Sequence, residues 1–264
     1  MTAKIYTIAS GKGGAGKTTV SVNLATTIAG FGKRTLLVDA DIGMANLGLM
    51  LGLDNPQITL HDVLAGSNSA KEAIYDGPNG LKVLPGGLTL QGYYDCDLDQ
   101  LEHVITDIND QFDFIIIDTP SGINKDVMVS LKLADEVILV VNPETIAIAD
   151  TMKTRSLTRM YDTNVKGVVL NRMDTSSQVD IEKKIESSLD SKIISTIYED
   201  PIISKSLSLR SPVVIKYPQS PSAFAFKRVA ALMADMEVPE EDLQMPHTKN
   251  DQGLLGRILS LLFG

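Results

Sequence analysis

The sequence predicts a doubly wound α/β domain on a mainly parallel sheet, and three observations predict it. Short β-branched runs alternate with helical patterns along most of the 264 residues. Several of those runs are apolar at consecutive positions rather than every second one, as strands covered by helices on both faces must be. The first run passes straight into a glycine- and lysine-rich turn, "SGKGGAGKTT" (10–19), which opens a helix.

In chain order the expected strands are "KIYTIA" (4–9), "TLLVDA" (35–40), "LKVLP" (81–85), "DFIIID" (113–118), "EVILVV" (136–141), "VKGVVL" (165–170), "KIIST" (192–196) and "PVVI" (212–215). Between them, stretches such as "TTVSVNLATTIAG" and "LDQLEHVITDIND" carry apolar residues three and four apart, the spacing of a helix with one buried face. The alternation stops near Met236. Residues 237–252 are polar, hold two prolines and read as a flexible linker, and the apolar run "GLLGRILSLLFG" (253–264) closes the chain.

Composition narrows the function. With 44% apolar residues the chain can bury a real core. Twenty-four basic against thirty-three acidic residues give a net charge of −9, which disfavours nucleic acid as a partner held through phosphate contacts, although a local basic patch remains compatible. The single cysteine, Cys96, forms neither an internal disulfide nor a thiolate cluster, and the histidines His61, His103 and His247 have no ligand-like spacing. The first residues enter a strand with no signal-peptide pattern, and no run reaches about 18 apolar residues, so a cytoplasmic protein is expected.

Two phosphate-binding motifs overlap in the opening turn. Gly11, Gly13 and Gly16 fit G-x-G-x-x-G, with Asp39 about 20 residues on, as in a dinucleotide fold. Gly11 to Thr18 also fit G-x-x-x-x-G-K-[ST], whose backbone amides and lysine cradle a triphosphate. A dinucleotide needs no lysine followed by a hydroxyl, whereas ATP brings Mg²⁺, which takes a hard oxygen ligand beside the phosphates. Lys17 and Thr18 supply the lysine and the oxygen, and the apolar run "FIIID" ends in Asp118, where a second carboxylate for the metal belongs. ATP with Mg²⁺ is the expected ligand.

"KGGAGKTT", with the extra lysine Lys12, resembles the deviant Walker A loop of the MinD/ParA family of P-loop ATPases, and the likeness extends over about residues 3–236. It implies that Gly11, Lys12, Gly13, Gly14, Ala15, Gly16, Lys17, Thr18 and Thr19 hold the nucleotide. It also implies that two copies sandwich two ATP molecules, Lys12 of each reaching the phosphates on its partner as an arginine finger does. "LLVDADIGMANL" resembles the family's switch I, with Asp39 near the metal and Asp41 on the attacking water. "IDTPSG" resembles switch II, with Asp118 at the metal. Thr18, Asp39 and Asp118 are thus the implied metal residues, and Lys12, Lys17 and Asp41 the implied catalytic ones. "VVLNRM" places Asn171 and Arg172 at the adenine, and Asp200 and Pro201 of "YEDP" resemble the loop over the base.

The domains expected are therefore a P-loop ATPase domain (1–236), a linker (237–252) and an amphipathic helix (253–264). In that helix Leu254, Leu255, Ile258, Leu259 and Leu262 share a face, and its position matches the family's membrane-targeting helix. Residues 237–264 carry five acidic and two basic residues, so apolar insertion rather than charge must drive contact with lipid. One copy would bind weakly and two on a dimer far better. The resemblance implies a homodimer on the cytoplasmic membrane face, with an unidentified activator or cargo protein. Its role would be positioning cell division, or alternatively flagella or other polar structures, or partitioning DNA.

Overall fold

The computed structural model describes residues 2–174 and 179–237; the expected linker beyond Glu237 and the stretch 253–264 lie outside the described residues. Strand β1 (Lys4–Ala9) runs through the glycine-rich turn into α1 (Lys17–Gly30), followed by β2 (Thr35–Asp39), α2 (Leu47–Met50) and α3 (Leu60–Leu64). Next come β3 (Tyr75–Asp76), β4 (Lys82–Leu84), α4 (Leu90–Asp95), α5 (Leu101–Thr106), β5 (Phe114–Asp118), α6 (Lys125–Leu133), β6 (Glu136–Val141) and α7 (Thr145–Met160). The described chain ends with β7 (Asn164–Met173), α8 (Val179–Leu189), β8 (Ile193–Tyr198), α9 (Pro201–Ser208), α10 (Val213–Lys216) and α11 (Pro221–Met233).

The strands form one sheet in the order β3-β4-β2-β5-β1-β6-β7-β8, every neighbouring pair parallel except β3 with β4. Period-two alternation divides the core. Ile8, Leu37, Ile116, Ile138 and Val140 face Val20, Leu24 and Ile28 of α1 and Phe226 and Val229 of α11. Ile5, Leu36, Val38, Ile115 and Ile117 turn the other way, toward α3 and α5, and Val137, Leu139 and Val141 pack with α6 and α7. Both faces are thus filled, which is why the strands read as continuous apolar runs. Each isoleucine or leucine so buried contributes roughly 1.5–3 kcal/mol.

Helix α1 lies between the sheet and α11 and is buried around most of its circumference, including the polar Ser21, Asn23, Thr26 and Thr27. Asn23 accepts a hydrogen bond from the Val214 amide at 3.2 Å. That contact belongs to the one expected strand that is not a strand. "PVVI" is the start of α10: Pro212 caps a single helical turn whose Val213 and Val214 pack against α1 and α11. A short apolar run after a proline reads alike as a buried strand or a buried turn of helix, and packing decides between them.

Parallel pairing brings the C-terminal ends of β1, β2, β5, β6 and β7 to one edge. The phosphate loop and the two switch segments lie at that edge, in the ends of β1, β2 and β5, the loops after them and the first turn of α1.

Candidate nucleotide site

The glycine-rich turn wraps the N-terminus of α1. Gly14 and Gly16 sit at φ +77° and +94°, in the left-handed region that favours glycine. Gly16 precedes α1 without a side-chain cap, so the first amides of the helix are left for an anion. Gly11 is needed for a different reason, since a Cβ there would stand 2.1 Å from the backbone carbon of Asp150 in α7.

The two lysines of the loop have opposite surroundings. Lys17 is buried, its Nζ 3.0 Å from Ser10 Oγ, and burial holds its ammonium below the ordinary lysine value against the pull of Asp118 and Asp41. Lys12 points outward and pairs with Glu144 at 2.5 Å, both side chains largely in solvent.

Asp39 and Asp118 end adjacent strands in direct register. Asp118 accepts hydrogen bonds from Ser21 Oγ at 2.7 Å and from the Thr18 hydroxyl, yet its Oδ2 is buried with no partner among the described residues. Burial pushes its carboxyl up to about 6. Asp39, which accepts from the Leu47 amide at 3.1 Å, is pushed up to about 8 by burial and then by Asp118. Asp41 is half-buried and raised by burial, and the Met44 amide donates to its Oδ1 at 3.0 Å.

Two adjacent buried carboxylates, one with an orphaned oxygen, demand a cation. The donors are all hard oxygens, and no group of three or more His, Cys, Asp or Glu side chains stands ready for a metal among the described residues. That set suits an ion that arrives with phosphates and keeps its own waters, as Mg²⁺ does.

At the other end of the loop, Asn171 Nδ2 donates to the Ala15 carbonyl at 2.7 Å, and a Cβ on Gly16 would collide with that amide. Asp200 caps α9 by accepting from the Ile202 amide at 2.9 Å and receives Ser222 Oγ at 2.7 Å, with Pro201 as the first helical residue. A small cleft is lined by Gly16, Thr19, Asn171, Arg172, Asp200 and Ile203. Asn171, Arg172 and Asp200 thus line a cleft that reaches Gly16 and Thr19 of the phosphate loop.

Comparison with known proteins agrees with that geometry. Residues 3–167 match the family model of an AAA domain. The chain is 40% identical to an uncharacterized ATP-binding protein of Methanocaldococcus jannaschii, over 97% of this chain and 96% of that one. It is 31% identical to the antiactivator FleN of Pseudomonas aeruginosa, over 89% of this chain and 88% of the other. It superposes with a TM-score of 0.81 and 36% identity on the septum site-determining protein MinD of Pyrococcus horikoshii, solved with Mg-ADP, covering 88% of this chain and 96% of that chain. The chain belongs to the MinD/ParA family of P-loop ATPases.

Within a MinD/ParA chain, the motifs do not show which contacts hold the site together. Ser10 and Ser21 hold Lys17 and Asp118. Thr119 Oγ1 donates to the Ile8 carbonyl at 2.8 Å and the Gly122 amide to the Ser10 carbonyl at 3.1 Å, which ties switch II to the phosphate loop. His61, which the sequence leaves without a role, is buried and hydrogen-bonds the backbone of Ile42 in switch I. Ser10, Thr119 and Gly122 lie within the segments that the sequence marks out, whereas Ser21 and His61 carry no motif signal.

Proposed function

We propose that this chain hydrolyses ATP with Mg²⁺ as a nucleotide-sandwich homodimer, and that residues 253–264 hold the ATP-bound dimer on the cytoplasmic face of the membrane. The observation that carries the enzymatic part is the Asp39–Asp118 pair, buried at the mouth of the phosphate loop with an oxygen left unpartnered. Thr18, Asp39 and Asp118 would hold the metal, directly or through its waters, and Mg²⁺ there would neutralise triphosphate charge. Lys17 and the amides of residues 11–19 bind the phosphates. Asn171, Arg172, Asp200 and Pro201 enclose the base. Asp41 holds the attacking water and accepts its proton, and its raised proton affinity suits that role.

Lys12 acts on the second copy. It faces solvent beside Glu144, and the sheet edge that holds it also carries exposed large apolar side chains, Met44 and Ile123 in the loops after β2 and β5 and Ile146 in the first turn of α7. An apolar rim around a solvent-facing cation suits a face that closes on another copy.

The MinD relative supports a role in placing cell division, with an activator or cargo protein completing the cycle. The antiactivator relative favours a second reading in which the same cycle serves a regulatory partner, and the two separate on that partner's identity. Likeness to partition proteins is weaker, and the net charge of −9 argues against DNA as the surface. Co-sedimentation with anionic liposomes tests the membrane cycle on the full chain and on a chain ending at Gln252, each with ATP, ADP or no nucleotide. Pelleting of the full chain alone, enhanced by ATP, is the expected result. Equal pelleting of both chains, or of neither, contradicts it.

A further inference from the structure

We propose that His61 and Asp126 hold Ile42 at its carbonyl and its amide, and so act as positioning residues that set Asp41 for hydrolysis. The inference rests on the ATPase reading above.

Ile42 follows Asp41 in switch I and is itself buried. Its carbonyl lies 2.9 Å from His61 Nε2. The Gly87 amide donates to the other ring nitrogen, Nδ1, at 2.6 Å. An amide can only donate, so Nδ1 is unprotonated, and Nε2 carries the hydrogen that it gives to Ile42. The imidazole is therefore neutral with an assigned tautomer, and burial lowers its proton affinity in agreement.

The ring has little freedom. A capping box between Thr59 and Asp62 fixes the start of α3, a Cβ on Gly87 would lie 2.9 Å from the ring, and one on Gly92 would lie 3.3 Å from His61 Cβ. In the preceding peptide, the Ile42 amide faces the carboxylate of Asp126 in the first turn of α6, a helix whose start is fixed by Asn124 accepting from the Val127 amide at 3.2 Å. Two helices thus hold the two peptides that flank Ile42, and the first of these joins it to Asp41. Because α6 directly follows switch II, the same grip joins the two switches.

The test separates the two bonds of the ring. A glutamine amide reaches about as far as Nε2 and keeps the donor to Ile42; an asparagine oxygen stands near Nδ1 and keeps only the acceptor for Gly87. Full-length wild type, His61→Gln, His61→Asn, Asp126→Asn and Asp126→Ala are compared for kcat and KM with MgATP, for melting temperature, and for hydrogen exchange of amides 40–47 without nucleotide. His61→Asn and Asp126→Ala should lower kcat by about 10-fold or more with KM within about twofold, since small misplacement of a catalytic group is costly. They should also speed exchange at 41–47. His61→Gln and Asp126→Asn should stay within about threefold of wild type in kcat and keep slow exchange. Equal kcat and exchange in the Asn and Gln variants of His61, or losses that merely follow melting temperature, overturn the proposal. If His61→Asn does not fold, the Asp126 pair decides by the same criteria. Wild type without turnover would sink the ATPase reading, while exchange would still decide whether the grip exists.

Discussion

Lys12 and Lys17 lie five residues apart, and their surroundings predict different failures. Lys17 is buried against Ser10 at the start of α1, so on the proposed reading Lys17→Ala should abolish ATP binding, as equilibrium titration with a fluorescent nucleotide would show. Lys12 is exposed and paired only with Glu144, so Lys12→Ala should still bind ATP but lose turnover by about 10²–10³-fold, the usual worth of one charge aimed at the transition state. Asp39 predicts a trade of stability for function. Its proton affinity is higher folded than unfolded, so its contribution to stability is complete below about pH 4 and is lost as the pH rises through about 8. In EDTA the wild-type melting temperature should therefore carry a fall between about pH 4 and 8 from this group, and Asp39→Asn should flatten that fall while abolishing hydrolysis. His61 shows where residue-scale reading ends. Its partners are backbone atoms 19 and 26 positions away, and no side-chain motif records such a bond.

Among the elements, seven of the eight expected strands are present, because burial on both faces leaves each as an uninterrupted apolar run. "PVVI" fails by the same logic, since a short apolar run carries no period and Val213 and Val214 are buried by α1 and α11 rather than by a neighbouring strand. The two-residue β3 is too short to leave any pattern. The phosphate loop was legible to the residue because its glycines answer to geometry, and Gly11 gives the sharpest case. Its neighbour is the backbone of α7, which cannot move aside as a side chain can. Gly11→Ala should cost about 1–3 kcal/mol by overpacking and weaken ATP binding together with stability. Denaturant melts with and without MgATP measure both effects. An unchanged melt would mean that α7 does not press on the loop as described.

At the scale of the whole molecule, the parallel sheet gathers the ends of β1, β2, β5, β6 and β7 at one edge, and charge and apolar rim divide the work there. The lysine and carboxylates are buried and, on the proposed cycle, serve the nucleotide held by the same chain, while Lys12 and the exposed Met44, Ile123 and Ile146 face outward. Assembly of two copies should therefore govern the rate, and turnover per chain should rise with protein concentration until dimers dominate. Lys12→Ala and Asp41→Ala should each be inactive alone. Mixed, they pair at random, and each mixed dimer keeps one complete site, with Asp41 from one copy and Lys12 from the other. The most direct measurement is the ATPase rate of that equimolar mixture. Recovery to about a quarter of the wild-type rate is predicted for a site shared between two copies. A mixture as inactive as its components would contradict it.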